Sequence, residues 1–538
     1  MTDGPITSTS FEPLSPTSFL ERSAEVYGNH VAIVDGKFTL TYAQFFDRAR
    51  RLARLLRESG VRRGDQVAVL APNNHVLLEA HYGVPYCGAA IVALNTRLSA
   101  AELAYIVGHS GSRVLVCDPH FEKMGRDVCA LADSSLHLLL ADDEYERQLA
   151  DGPFLHELVL DELGLLALNY TSGTTGTPKG VMYDHRGAYL QSLAMTRHFD
   201  LDSSSVYLWT LPMFHCNGWC FTWAVTAAGG VHVCLPEMDT AAAWRLIDEV
   251  SVTHFCAAPT VLLMLAASPD ARPIAGHSLR VAVGGAPPSP ALIETCERLG
   301  LDVTHLYGLT ETFGPVAICD WKTEWDDLPL IERSRHRARQ GVGNVISQNL
   351  RVVTLNMDDV PRDGATIGEI VIRGNNVMLG YFNEPLATEH AFFGGWFHTG
   401  DLAIMHPDSY IEIRDRAKDI IVSGGENISS VEVEAAIASH PAVLEVAVVA
   451  KPHEHWGERP IAFVVVREGH EVTEREICDH VRRVLARFKV PDRIVFSALP
   501  KTGTGKIQKF RLREVAQSLE PENGRQRDQR LCTVDRGA

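Results

Sequence analysis

A large α/β domain with mostly parallel sheets flanked by helices, followed by a small α+β domain, is what the 538-residue chain predicts, on three observations. Apolar runs of strand length alternate with helical patterns over most of the chain. Those runs are continuous in Val, Ile and Leu, the pattern of strands covered on both faces, hence parallel sheet between helices. Past Asp415 the texture changes to dense charge and then to helix and strand patterns that together make a compact unit of about 100 residues.

Taken in order, Gln66–Leu70 (QVAVL) reads as a buried strand and Leu77–Gly88 as a helix. Ile91–Leu94 is the next strand, and Ser99 with Glu102 has the S-x-x-E spacing of a capping box that opens a helix. Arg113–Cys117 and Leu165–Tyr170 are further strands. After residue 250 the alternation returns with strand His254–Ala258, helix Thr260–Ala267 and strand Leu279–Val283. Ser289 and Pro290 suit the cap and first turn of a helix that Gly300 ends, and Val303–Leu306 is the strand after it. Loops at Gly284-Gly285-Ala286-Pro287 and Tyr307-Gly308-Leu309-Thr310-Glu311 therefore leave the carboxyl ends of strands, where open α/β sheets bind ligands. In the C-terminal unit Val431–Ser439 and Thr473–Arg487 are helical, and Thr473 with Glu476 repeats the capping-box spacing. Leu444–Ala450 and Ile461–Val466 are its strands. The expected divisions are 1–415, 416–519 and a polar tail, 520–538, expected to be disordered.

Hydrophobic residues at 46% and charged residues at 22% exclude a largely disordered chain, a collagen and a coiled coil. Lys+Arg at 50 against Asp+Glu at 67 gives a net charge of −17, which repels nucleic-acid phosphates and anionic lipid, so neither is an expected partner. The 11 cysteines form no C-x-x-C and read as buried or half-buried thiols in a reducing cytosol. The 23 histidines show no zinc-ligand spacing, and His453-Glu454-His455 reads as a solvated loop. The sequence has no basic-then-apolar leader, no apolar run of membrane-spanning length and no C-terminal address such as S-K-L, which leads to the expectation of a cytoplasmic protein.

The densest chemistry lies at Thr171-Ser172-Gly173-Thr174-Thr175-Gly176-Thr177-Pro178-Lys179-Gly180, directly after a strand. Its three glycines and five hydroxyls supply backbone N–H groups and short donors able to wrap a triphosphate, with Lys179 as a compact cation. A Walker A loop is excluded, because Pro178 stands where the second glycine belongs and Gly180 follows the lysine in place of Ser or Thr.

TSGTTGTPKG resembles the signature of the AMP-forming acyl/aryl-CoA synthetases, an acyl-adenylate-forming superfamily that includes luciferases and peptide-synthetase adenylation domains. Further motifs similar to that family's follow in its order: LPMFHCNGW (Leu211–Trp219), GGAPPS (Gly284–Ser289), YGLTE (Tyr307–Glu311), WFHTGD (Trp396–Asp401), RDRAKDIIVSGGENIS (Arg414–Ser429) and PKTGTGKIQK (Pro500–Lys509). HCNGWCFTW and GENISSVEVE look closest to ligases of short- or medium-chain acyl, methylthioalkanoate or benzoate-type acids. The resemblance implies an acid–CoA ligase of fatty acid metabolism that uses ATP, Mg²⁺ and coenzyme A, with a carboxylic acid as substrate, a mobile small domain and a homodimer as the assembly to test. Two alternatives share the motifs: loading of a carrier protein in trans, and a luciferase-type oxygenase.

The same resemblance assigns roles. Thr171, Ser172, Gly173, Thr174, Thr175, Gly176 and Lys179 would hold the phosphates. Thr310 would bond the α-phosphate, and Glu311 would ligate Mg²⁺. Tyr307 and Gly308, with the Gly284-Gly285-Ala286 wall, would flank adenine, and Asp401 and Arg416 would hold the ribose. Lys506 would bridge substrate carboxylate and α-phosphate, Lys418 would be the hinge, and Gly424 and Gly425 would face the pantetheine arm. His215 and Trp219 would line the acid pocket, four residues apart on one face of a helical turn.

Overall fold

The computed structural model describes residues 12–132, 136–150, 152–171, 178–274, 279–347, 349–501 and 507–519. They form two compact units. The first comprises the described residues up to Ala338 with Gly343–Asn349 and Arg373–Phe397; the second comprises Arg339–Val342, Leu350–Ile372 and the described residues from His398 onward.

The first unit carries two sheets. One has six strands, in the spatial order His137–Leu140, Val114–Cys117, Gln66–Leu70, Ala90–Ala93, Leu165–Tyr170 and Gly180–Asp184. Its neighbours are parallel except the last pair, an antiparallel hairpin that spans the Gly/Thr/Lys segment. Val114–Cys117 and Ala90–Ala93 are buried at every position, as their continuous apolar runs require. The other sheet passes in space from Phe38–Thr41 through Val31–Asp35, Val231–Val233, Val206–Leu208, His254–Ala257, Leu279–Val283 and Leu301–Leu309 to Gly314–Ile318. It is parallel except for its first pair and its last pair in that order. Leu208, Phe255, Val281 and Val303 on successive strands pack with Trp244, Leu262 and Ile293 from the covering helices into one apolar cluster.

Helices Tyr42–Glu58, His75–Tyr86 and Asp143–Ala150 are tied by charge. Glu79 is fully buried, and Arg48 Nε lies 2.5 Å from it while Arg48 Nη1 lies 2.7 Å from Glu146. A buried carboxylate persists there because a guanidinium fork pairs it; removing either partner would strand a charge.

In the second unit a four-stranded sheet is ordered Asn349–Val353, Gly368–Arg373, Phe397–Met405 and Ile411–Arg416. A five-stranded sheet runs Glu426–Ile428, Ile421–Ser423, Gly457–Val466 and Val443–His453, with Arg493–Phe496 parallel to Gly457–Val466. Helices Ser430–Ala438 and Glu474–Val484 bury Val433, Ile437, Ile477 and Val481 against it.

Both capping boxes form: Ser99 with Glu102, and Thr473 with Glu476. Ser289 accepts the Leu292 N–H at 3.2 Å, and Gly300 follows the helix with φ +80°. Several boundaries differ from the sequence reading; strands expected at Leu444–Ala450 and Ile461–Val466 run longer, as Val443–His453 and Gly457–Val466. The strand expected to end at Leu306 continues to Leu309, because Tyr307–Leu309 pair with Gly314–Ala317; Tyr307 and Gly308 are strand residues, not loop. The last long helix stops at Val484, where Leu485 turns extended. Of the ten described cysteines nine are buried and none forms a disulfide, in keeping with buried thiols.

Asp184 caps helix His185–His198 by accepting the Gly187 N–H, yet burial pushes its carboxyl up to about 6. A raised carboxylate pKa means that stability from this group is present below the unfolded value and lost as pH rises through about 6. Asp184→Asn keeps the cap acceptor without the charge. Its melting temperature should exceed wild type by a few degrees near pH 8 and merge with it near pH 4, read by thermal denaturation at both.

Candidate active site

The Gly/Thr/Lys segment is closed at its base: the Thr171 N–H donates to the Lys179 carbonyl at 3.0 Å, and strands Leu165–Tyr170 and Gly180–Asp184 pair on either side. Lys179 Nζ lies 4.7 Å over the Tyr381 ring and 4.0 Å from Glu384. The Tyr381 hydroxyl donates to Glu311 Oε1 at 2.8 Å. Burial, with Glu311 beside it, raises the Tyr381 pKa, so it stays a protonated donor at neutral pH. Glu311 sits in the 3₁₀ turn Thr310–Thr312 that follows Leu301–Leu309, and its carbonyl accepts the Met378 N–H at 2.9 Å. The Thr310 carbonyl accepts the Tyr183 hydroxyl at 2.6 Å, while the Tyr183 ring stacks on Phe313 at 3.9 Å. One cation, two carboxylates and one hydroxyl donor are thus linked through Lys179 and Tyr381 near the carboxyl end of a strand.

The reversal after Tyr307 explains the YGLTE glycine. A Cβ at Gly308 would fall inside the Gly314 carbonyl oxygen, so only glycine lets the strands approach there. Gly314 holds φ +91° with Trp219 against it, and a Cβ at Gly284 would lie 2.9 Å from Trp219 Cη2. The nearly buried Trp219 therefore touches both the GGA loop and the turn beyond Glu311. Tyr307 is buried, whereas Gly285 and Ala286 are exposed.

His215 and Trp219 do not sit on a right-handed helical turn. Cys216, Asn217, Gly218, Trp219 and Cys220 have φ of 49°, 45°, 60°, 54° and 64°, a run of left-handed residues of which only one is glycine. The i, i+4 argument that put both on one face of a helix is corrected accordingly. Each non-glycine residue there costs about 1–2 kcal/mol, so the surroundings must hold the turn. The Gly218 N–H donates to the His215 carbonyl at 2.8 Å, and the Cys216 thiol lies 3.5 Å from Thr310 Oγ1. Burial pushes that thiol up to about 12, which makes it a packing group and not a nucleophile.

In the second unit Asp401 and Arg416 face each other in register on antiparallel strands, with Arg416 Nε 2.9 Å from Asp401 Oδ1. Lys418 is exposed in the turn after that strand, and Asp419 beside it pairs with Arg513. Gly424 and Gly425, at φ 60° and 85°, make a two-residue hairpin turn between Ile421–Ser423 and Glu426–Ile428, capped by the Trp456 ring over Gly424. Lys501 bridges Ile507, and the Gln508 N–H donates to the Pro500 carbonyl at 2.8 Å. Ser172, Gly173, Thr174, Thr175, Gly176 and Lys506 lie outside the described residues.

Comparison with known proteins decides the family. The profile of the family described as AMP-binding enzyme matches residues 20–382, and that of the AMP-binding enzyme C-terminal domain matches residues 432–506. This chain belongs to the AMP-binding enzymes. An acetate–CoA ligase of Humulus lupulus is 42% identical over 96% of this chain and 97% of its own length. A peroxisomal acetate/butyrate–CoA ligase of Arabidopsis thaliana is 42% identical over 95% and 96%. Among solved structures, an anthranilate CoA ligase in complex with anthranoyl-AMP superposes with TM-score 0.84 at 25% identity, covering 94% of this chain and 97% of that one. The protein is an acid–CoA ligase of acyl-adenylate-forming fold. The expectation of a cytoplasmic protein is overturned: the acetate/butyrate ligase is named peroxisomal, as are a benzoate–CoA ligase of Arabidopsis thaliana and a trans-cinnamate:CoA ligase of Petunia hybrida.

In this AMP-binding enzyme the sequence reading passed over Tyr381 and Glu384, whose one signal was an aromatic between turn residues in LGYFNEP. It also passed over Tyr183, which nothing near it in sequence marks out. Among the described residues no helix is long and apolar enough to cross a membrane.

Two glycines of the ligase should differ sharply in how much the same methyl group costs. Gly308→Ala should cost several kcal/mol or prevent folding, because backbone must move. Gly285→Ala, at φ +83° with open space around it, should cost only about 1–2 kcal/mol. Chemical denaturation of both variants checks the contrast.

Proposed function

We propose that the acid activated by this ligase is a short- or medium-chain fatty acid or a compact aryl acid. The observation that supports it is the indole of Trp219 against the backbone of Gly284; with Trp219 read as a pocket residue, so large a side chain leaves little room for a long acid. Relatives are named for acetate, butyrate, benzoate and cinnamate, all acids of that size range, which supports the reading. An oxygen of the substrate carboxylate attacks the α-phosphorus of ATP, the bond to pyrophosphate breaks, and an acyl adenylate forms. The sulfur of CoA then attacks the acyl carbonyl, AMP leaves, and the thiol proton goes to solvent.

In this reading Thr171–Gly176 and Lys179 hold the phosphates, Thr310 bonds the α-phosphate, and Tyr307, Gly308 and Gly284–Ala286 flank the base. Asp401 and Arg416 hold the ribose, with the guanidinium fixing the carboxylate's rotamer. His215 lies near the acid's carboxylate. Glu311 is the metal ligand, and a site of this kind fits Mg²⁺, which binds through one or two carboxylates plus substrate phosphates and water. Among the described residues no cluster of three or more His, Cys, Asp or Glu competes for it. When bound, the ion neutralises phosphate charge; Tyr381 keeps the Glu311 carboxylate aimed. The division near 415/416, the hinge at Lys418, the pantetheine path past Gly424 and Gly425, the homodimer and the link to fatty acid metabolism belong to the same proposal.

Lys506→Ala should slow pyrophosphate release by about 10²–10³-fold, the scale of losing one charge-stabilising donor. Thioester formation from supplied acyl adenylate should survive; equal loss in both half-reactions removes the assignment.

The acid is tested by assaying ATP- and CoA-dependent turnover of wild type and Trp219→Ala on straight-chain, methylthioalkanoic, benzoic and cinnamic acids. Each methylene accommodated is worth about 0.8 kcal/mol, roughly fourfold in kcat/KM. Trp219→Ala should move the optimum toward longer acids. An unchanged profile in folded variant shows that Trp219 does not set the depth.

A further inference from the structure

The left-handed turn Cys216–Cys220 is tethered from beneath by three buried polar side chains that no step of the reaction uses. His81, on helix His75–Tyr86, has its Nδ1 2.7 Å from the Leu77 carbonyl, so Nδ1 carries the ring proton and Nε2 is left as an acceptor. Asn217 Nδ2 donates to that Nε2 at 2.9 Å. Asn169, two residues before Thr171 on strand Leu165–Tyr170, closes on Asn217 from the other side. Its Nδ2 donates to Asn217 Oδ1 at 2.5 Å, and its Oδ1 accepts the Asn217 N–H at 3.2 Å. The Asn217 carbonyl in turn accepts the Thr222 hydroxyl at 3.0 Å. His81, Asn169 and Asn217 are all essentially without solvent contact. Burial holds His81 down to about 4, so it stays neutral and the tautomer is fixed at working pH.

These bonds have a geometric purpose. A run of left-handed backbone with one glycine in five does not persist unaided, and Asn217 is its one residue with a polar side chain clamped on both ends. The turn presents His215 at one flank and Trp219 at its end, and Trp219 leans on Gly284 and Gly314. We propose that His81 and Asn169, acting through Asn217, are positioning residues for the acid pocket: they lock the strained turn so that Trp219 sets pocket depth. This rests on the reading of Trp219 as a pocket residue. The tether also starts on the strand that leads into the phosphate segment, so the acid pocket and the nucleotide loop are registered to one another through Asn169.

The test compares His81→Phe, which keeps ring volume but removes the acceptor, with Asn217→Gly, which keeps the left-handed backbone but removes the tether. His81→Phe should raise KM for the acid about tenfold, one buried hydrogen bond's worth, and Asn217→Gly, which also loses the bond to Asn169, at least as much; both should broaden the chain-length profile, with KM for ATP within about twofold of wild type. The double variant should lose no more than Asn217→Gly alone, because that change already removes the bond to His81. His81→Gln, which can offer a carbonyl oxygen to Asn217, should recover most of the acid affinity. A wild-type acid KM and profile in His81→Phe overturns the proposal, as does additive loss in the double variant, or equal rises in KM for acid and ATP. Should His81→Phe not fold, Asn217→Gly and His81→Gln decide alone: wild-type behaviour in the first, or loss in the second, overturns it. Trp219→Ala separates the layers. If it shifts the profile and the tether variants do not, the pocket reading stands and the positioning role falls; if none shifts it, the pocket reading itself falls.

Discussion

Backbone meets backbone between Gly308 and Gly314, with no room for a methyl group, and the rest of the site hangs on that approach. The tight reversal lets Leu301–Leu309 pair with Gly314–Ile318 while leaving Thr310–Thr312 as a short turn between them. Glu311 is thereby displayed at the carboxyl end of a strand, within reach of Tyr381, and Gly314 opens the space in which Trp219 rests. Steric exclusion, more than any single polar contact, fixes where the carboxylate and the indole stand.

A second layer is electrostatic economy. The chain carries a net charge of −17, yet its substrates are anions. In the proposed reading a few fixed cations stand in for a global field: Lys179 over the Tyr381 ring, and Arg416 against Asp401. Cations held against low-dielectric walls keep more of their field than the same charges in water, so few of them suffice.

Much of this was legible in the sequence. Continuous apolar runs marked the buried parallel strands, and S-x-x-E and T-x-x-E marked two helix starts that the structure reproduces. The motif order named the family. What was not legible depended on pairs far apart in the chain or on unusual backbone. Nothing in HCNGWC announces five left-handed residues, since one glycine is ordinary in such a string and the reason lies with His81 and Asn169, reached only through folding. Tyr381 is invisible for the same reason: its partner Glu311 is seventy residues away. The end of the Val303 strand was missed because antiparallel pairing, not local propensity, carries it to Leu309. The cellular compartment was misjudged because it was inferred from signals not found, while several relatives carry peroxisomal names.

The burial of nine of the ten described cysteines has a practical corollary. Desolvation raises the thiols of Cys117, Cys216, Cys256 and Cys296 to values at which almost no thiolate exists near neutrality. An alkylating reagent can then reach them only when the surrounding sheets or helices come apart. The enzyme thus carries its own set of opening reporters, spread over both sheets of the first unit, and the order in which they react records which layer loosens first.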